Sequence, residues 1–509
     1  MPISKKTIAK NTIFLYIRMM LIMLVTLYTS RIVLDVLGAS DYGLYNVVGG
    51  IVSMLAVLNG SVSAGTSRFI SYELGVGNKE RLRDVFNISL VSHITIALIV
   101  FVLAESVGLW FVNTQIVFEA DRTLAVNVVY QLSILTIMLQ FTQMPYTADI
   151  IAHEQMSIYA YISILEVGLK LLMVFALVTI KTVDALISYA VMVFIIQMLV
   201  LFLYRLYCYK KYEESHWRLV RDVKQYKDIL SFAGWDIIGA LSVISQGQGV
   251  NILLNIYFGP VVNAARAIAY QVQGAFLQFT NNFMAAVNPE IVKSYARKEY
   301  SVMVQLINDA SLYSFYLLSI FVVPALFKID YVLGLWLKEV PEFTSIFTLI
   351  VLVNMMIRAI ARPVIIGTHA TGDIKALNLY AGGLGLLPLP ACWVGFHFGL
   401  PSVFAFWILL QWGIFANIAE IIILKLKMPE FSVWQHMTVV YLRCLFISGL
   451  MIASCYFISR LLGESLLEFV LYYVASLLIC AIIIFIFGLT KTLRNKVFNI
   501  VKNATKRII

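Results

Sequence analysis

Residues 231–288 read SFAGWDIIGALSVISQGQGVNILLNIYFGPVVNAARAIAYQVQGAFLQFTNNFMAAVN, two apolar stretches meeting at Gly259-Pro260. Each is long enough to cross a bilayer, and each carries a polar stripe. In the second, Asn263, Arg266, Tyr270, Gln273, Asn281 and Asn288 recur at helical spacing. At 100° per residue they share about one third of the helix circumference. A charge at the centre of a membrane helix costs about 2.5–3.5 kcal/mol, so the row is expected to face a wet cavity or other protein. In the first stretch Gln248, Asn251 and Asn255 form a second stripe, with Ser242, Ser245 and Gln246 beside it. Two readings stand: a cavity lining, or amide and small residues gluing helices together.

The same reading extends along the chain. Of 509 residues 61% are hydrophobic and only 13% charged, with a mean hydropathy of +0.87. A soluble protein carries about a quarter charged residues. Apolar runs fall near 12–36, 43–67, 86–110, 124–149, 158–180, 184–207, 231–257, 261–288, 305–328, 343–367, 376–398, 402–424, 437–460 and 467–489. The fold expected is therefore all-α and polytopic, with about 14 transmembrane helices. Basic residues gather at the N-terminus, at Lys79, Arg81 and Arg83, in 205–228, at Lys293, Arg297 and Lys298, and after residue 490. The positive-inside rule places these segments, and both termini, in the cytoplasm. The net charge of +10 then reflects topology and anionic headgroups, with no nucleic-acid partner.

The longest connection, 208–230, follows the sixth span and divides the chain. A shift of 221 lays Leu37-Gly38 on Phe258-Gly259 and Asn87 on Asn308 without a gap. The small and polar stripe Tyr42, Gly49, Ser53, Gly60, Ser67 then falls on Asn263, Tyr270, Gly274, Asn281, Asn288. A duplicated unit accounts for this. It gives an N-terminal six-helix lobe (1–207), a cytoplasmic linker (208–230), a second lobe (231–424), and two extra helices with a basic tail (425–509).

Other charges fall inside spans. Arg31 with Asp35, and Glu166 with Lys170, stand four residues apart and can neutralise each other along a helix. Arg358 and Arg362 share a sign, so they repel unless an anion, a carboxylate or water intervenes, or unless they snorkel to the interface. Arg266 has no acidic residue three or four places away. It needs a partner from another helix or from the substrate, and its planar fork suits phosphate. The six histidines stand singly and the five cysteines lack CxxC spacing, and there is no GxxxxGK[ST]. Metal sites, disulfides, an ATP motor and enzymatic catalysis are not expected.

Several blocks together resemble the MOP exporter superfamily and, within it, the Wzx-type polysaccharide flippases. They are NTIFLYIRMMLIMLVTLYTSRIVLDVLGASDYGLYNVVGGIVSMLAVLNG (11–60), SRFISYELGVGNKERLRDVFN (67–87), FAGWDIIGALSVISQGQGVNILLNIYFGPVVNAARAIAYQV (232–272) and RPVIIGTHATGDIK (362–375). The resemblance implies two six-helix lobes around a central cleft, with alternating access. It implies movement of a polyprenyl-pyrophosphate-linked oligosaccharide from the inner to the outer leaflet of the bacterial cytoplasmic (inner) membrane, for O-antigen (lipopolysaccharide), capsule or exopolysaccharide assembly. Arg266 best matches the family's cationic cleft, followed by Arg31, Arg358 and Arg362, with Tyr270, Gln273, Gln248, Asn251 and Asn255 as further substrate-facing residues. No cofactor is implied; a coupling proton or sodium ion is left open, with Asp35, Glu166 and Asp236 as its carriers. A monomer among membrane lipids, working with a polysaccharide polymerase machinery, is the expected assembly. The rivals are a drug–cation antiporter of the MATE type, which would want interior carboxylates, and a peptidoglycan-precursor flippase. A membrane polymerase would show a sizeable outer loop.

Overall fold

The computed structural model describes residues 5–55, 77–153, 155–179, 184–220, 241–371, 376–463 and 465–489, with 66, 69, 70, 73, 74, 494 and 495 between and after them. Helix follows helix, and no strand occurs among the described residues. The elements used below are α1 (Lys5–Leu55), α2 (Lys79–Leu103), α3 (Thr123–Ala152), α4 (Met156–Thr179), α5 (Ala185–Lys211), α6 (Val250–Phe258), α7 (Pro260–Ala296), α8 (Tyr300–Phe327), α9 (Ile329–Trp336), α10 (Thr344–Ala370), α11 (Pro388–His397), α12 (Val403–Lys427), α13 (Arg443–Leu461) and α14 (Leu466–Ile483). The fourteen expected spans are helical over their described residues, to within a residue or two at the ends and apart from a turn at Leu387.

Eleven helices among the described residues are long and apolar enough to cross a membrane. The difference from fourteen has physical causes. Helix α1 contains two spans in one run, broken at Gly38 (φ 73°, ψ 169°). The 37 residues of α7 reach about 55 Å, but its polar row dilutes the hydropathy. A π-turn at Ser245–Gly249 interrupts the regular helix ahead of α6, leaving nine residues from Val250 to Phe258. The chain is a polytopic helical membrane protein.

Helix ends are built by ordinary capping. Asn78 accepts from the Arg81 N–H at 3.1 Å, and Ser465 with Glu468 closes a capping box. Asp184 caps α5 by accepting from the Leu186 and Ile187 N–H groups. Its carboxylate also takes Arg122 Nη1 at 2.5 Å, while Arg122 reaches Asp41 on α1. Burial pushes the Asp184 carboxyl up, but the Arg122 hydrogen bond and the backbone donors outweigh it and hold it below the usual range.

Packing sorts the residues into two compact units. The first holds Met1–Ile268, Leu337–Thr344 and Gly385–Ala405; the second holds Ala269–Trp336, Ser345–Leu384 and Phe406–Ile509. The lobes expected from the sequence divide the chain by topology, whereas packing cuts it at Ile268, inside α7. In the first unit α3 lies against α1, α2 and α5, and α6 lies against α1 and α11. One close approach there is backbone to backbone: a Cβ added at Gly43 would stand 1.8 Å from the Pro260 carbonyl oxygen. In the second unit Leu312, Phe315 and Val322 of α8 share a core with Ile447 and Met451 of α13 and Cys480 of α14. All five cysteines are free and buried, as small core residues.

The 221-residue offset carries over from pattern to geometry. Gly38 (φ 73°, ψ 169°) and Gly259 (φ 81°, ψ 179°) hold the same backbone conformation, one open to glycine alone. Gly77 (φ 80°) and Lys298 (φ 61°) are also both left-handed. The starts of α2 and α8 at Lys79 and Tyr300, and of α3 and α10 at Thr123 and Thr344, obey the same offset. Asn87 and Asn308 play matching parts. Asn87 donates to the His216 carbonyl at 3.2 Å and accepts from the Arg218 N–H at 2.9 Å, in the segment that follows α5. Asn308 Oδ1 lies 2.6 Å from His436 Nδ1, in the segment that follows α12.

Candidate functional site

Among the cavities of the described residues, two of nearly equal size correspond through the repeat, one in each unit. The first, about 190 Å³, is lined by Tyr45, Gly49, Ser53, Ser133, Thr136 and Gln140. The second, about 200 Å³, is lined by Gln273, Thr280, Asn281, Ser314, Arg358 and Arg362, with apolar neighbours. The offset of 221 relates them: Val52 and Ile137 line the first, Gln273 and Arg358 the second. Only the second is cationic. Helix α7 presents Gln273 and Asn281, and α10 presents the two arginines one helical turn apart.

The arginines differ in their commitments. Arg358 Nη2 donates to Glu420 Oε1 at 3.0 Å, and Nη1 to Glu420 Oε2 at 3.2 Å. A further bond runs from Nη1 to Asn417 Oδ1. Glu420 is 4% exposed, so Arg358 is spent largely on pairing with that buried carboxyl group. Arg362 is exposed and makes no ion pair among the described residues. The carboxylate that relieves the like-charge pair thus stands on α12 and serves one arginine only. An acid inside an otherwise apolar span was its signal in the sequence, matched by sign to α10.

The other expected site residues fall elsewhere. Arg266 is 6% exposed and belongs to the first unit. Its Nη2 donates to the Gly247 carbonyl at 2.6 Å, within the π-turn Ser245–Gly249, whose wider winding leaves backbone acceptors outside the regular ladder. One partner from another helix is thus a backbone carbonyl. Asn251 and Asn255 are buried, at 3% and 0% exposed, and line neither of these two cavities. Asn255 Nδ2 donates to Asn263 Oδ1 at 3.0 Å, and Asn263 Nδ2 donates to the Asn251 carbonyl at 2.7 Å and to Asn251 Oδ1 at 2.9 Å. Asn255 Oδ1 accepts from the Val117 N–H at 2.9 Å. These amides satisfy one another, which is the glue reading. Gln248 accepts from Asn251 Nδ2 at 3.4 Å and lies against Gly50 of α1, where a Cβ would stand 2.4 Å from its Oε1. Tyr270 is half-buried.

Among the charged couples, Glu166 and Lys170 pair as expected at 2.7 Å. Asp35 does not pair with Arg31: it binds Lys338, a more distant residue that the helical spacing could not reveal. Arg31 is half-buried. Asp236 lies outside the described residues.

The fold has solved counterparts. A lipid II flippase MurJ in an inward closed conformation matches with TM-score 0.68 at 11% identity, covering 93% of this chain and 98% of that one. The chain has the MATE/MurJ fold. An inward-facing multidrug resistance MATE family transporter of the MOP superfamily matches with TM-score 0.59 at 14% identity, over 82% of this chain and 95% of that one. A MOP superfamily transporter from Pyrococcus furiosus, described as having a binding pocket of reverse polarity, matches with TM-score 0.56 at 13% identity, over 83% and 96% of the two chains. No family model and no curated protein sequence matches.

Proposed function

We propose that this chain is a flippase that carries a polyprenyl-pyrophosphate-linked oligosaccharide across the bacterial cytoplasmic membrane for surface polysaccharide assembly, by alternating access and with both termini in the cytoplasm. The observation that carries the reading is the pair of offset-related cavities, of which one alone is cationic. A pyrophosphate buried without partners would cost several kcal/mol per polar group. Arg362, exposed in that cavity, supplies a forked donor for it, and Gln273, Thr280, Asn281 and Ser314 offer polar contacts for sugar or phosphate oxygens. An inside-negative potential favours outward movement of the anion by about 2.3 kcal/mol per charge per 100 mV. A drug–cation antiporter would want a carboxylate facing its cavity, whereas the cavity of the second unit is lined by Arg358 and Arg362 and the neighbouring Glu420 is bound to Arg358. A peptidoglycan-precursor flippase is the second reading, favoured by the 93% coverage of the match to the lipid II flippase.

The test is transbilayer movement in proteoliposomes, with a polyprenyl-pyrophosphate oligosaccharide and a peptidoglycan precursor as alternative cargoes. Arg362→Ala is expected to slow flipping at least tenfold and Arg362→Lys to retain part of it. Unchanged flipping by well-inserted Arg362→Ala removes this residue from the site. Preference for the peptidoglycan precursor selects the second reading.

A further inference from the structure

From the C-terminal ends of α3 and α5, both in the first unit, we infer a binding site for a first-row divalent metal ion of the zinc class, formed by Asp149, His153 and Glu214. Asp149 and His153 stand one helical turn apart, and Glu214 arrives from the short turn after α5. One ligand atom from each lies within 4.8 Å of the others. His153 Nε2 stands 2.6 Å from Glu214 Oε1 and 3.7 Å from Asp149 Oδ1. Donors about 2.1 Å from a tetrahedral ion are about 3.4 Å apart, so small shifts would seat one.

The second observation is Asp149 itself. It is 0% exposed, and no donor stands at hydrogen-bond distance from either carboxylate oxygen among the described residues; its polar neighbours are His153 and the Glu214 carboxyl group of the same cluster. A fully buried carboxylate in that condition costs several kcal/mol unless a cation or a proton reaches it, and it points at the nitrogen shared with Glu214. Access exists: His153 and Glu214 line a cavity of about 420 Å³ together with Tyr212, Lys211, Arg83 and Lys79. The Tyr212 ring stacks on the His153 ring at 4.1 Å and 6°, fixing its plane. One imidazole and two carboxylates suit zinc, cobalt or manganese better than calcium, which takes six to eight oxygens. The sequence conceals the set, because Glu214 lies 61 residues from His153. It also departs from the expectation of no metal. The ion would clamp the end of α3 to the start of the 208–230 linker.

The experiment is titration of metal-stripped, full-length protein in detergent with Co²⁺, then displacement by Zn²⁺. Visible d–d absorption saturating at one Co²⁺ per chain and removed by Zn²⁺ is expected. His153→Ala and Asp149→Asn should each weaken binding more than about 100-fold, since even outer-shell partners cost 10–100-fold. No saturable binding by the wild-type protein, which requires no variant to fold, overturns the site. So does unchanged affinity in a folded Asp149→Asn/Glu214→Gln variant, or preference for Mg²⁺ or Ca²⁺ over Zn²⁺.

Discussion

Replacing Asn263 by alanine separates the two uses to which an amide stripe can be put inside a membrane. Asn263 is 0% exposed and makes three side-chain hydrogen bonds, two donated to Asn251 and one accepted from Asn255. Polar contacts of this kind in membrane proteins average about 0.6 kcal/mol each, so three give about 2 kcal/mol. That is about a 30-fold change in the unfolding equilibrium. The figure is a floor, because Asn255 Nδ2 and two Asn251 acceptors would be stranded where water is scarce, at about 1–3 kcal/mol for each group that finds no substitute. The assay is unfolding of the purified protein by increasing SDS in mixed micelles, followed by circular dichroism. Asn281→Ala is the control: Asn281 belongs to the same polar row but is exposed in the second cavity, so its loss should stay within about 0.5 kcal/mol. If Asn263→Ala unfolds like wild type yet abolishes flipping, the buried network is not glue and the reasoning fails.

Two further substitutions test the close contacts. Gly43→Ala puts a methyl group 1.8 Å from the Pro260 carbonyl oxygen, a backbone atom that cannot swing aside. Loss of folded yield is expected, and a normal monodisperse preparation with unchanged thermal stability would contradict the packing. At the Arg358–Glu420 pair the order of effects is diagnostic. Arg358→Met strands a carboxylate 4% exposed and should cost about 3–5 kcal/mol. Glu420→Gln leaves a half-exposed arginine with an uncharged acceptor and should cost less, about 1–3 kcal/mol. SDS unfolding of both variants checks the order, and a reversed order refutes the assignment of Glu420 as the buried partner.

Much of the fold was legible because lipid imposes simple demands. Apolar runs of membrane length had to be helices, and the expected spans are helical where described, apart from a turn at Leu387. Gly38 and Gly259 were aligned by pattern, and their shared left-handed conformation follows from the same spacing. The site was less legible. An amide stripe reads alike whether it faces water or other amides, since both keep polar groups from lipid, so Asn251 and Asn255 left the choice open. Arg266 needed a partner from another helix or from the substrate; residue spacing does not show which group supplies it, and one partner is the Gly247 carbonyl of a π-turn. Arg358 and Arg362 looked equivalent in sequence. A carboxylate 62 residues beyond Arg358 distinguishes them, and only packing brings it there.

The first compact unit recruits 241–268, 337–344 and 385–405 from beyond the linker. A polypeptide severed within 208–230 would therefore yield an amino-terminal fragment lacking α6 and α11, which complete its packing. Neither piece could mature alone. During synthesis the early helices would wait in the bilayer for later ones, with the Gly43 surface bare until Pro260 arrived. Co-expressed fragments are then expected to rescue one another, and an isolated amino-terminal fragment to be a substrate for membrane proteolysis.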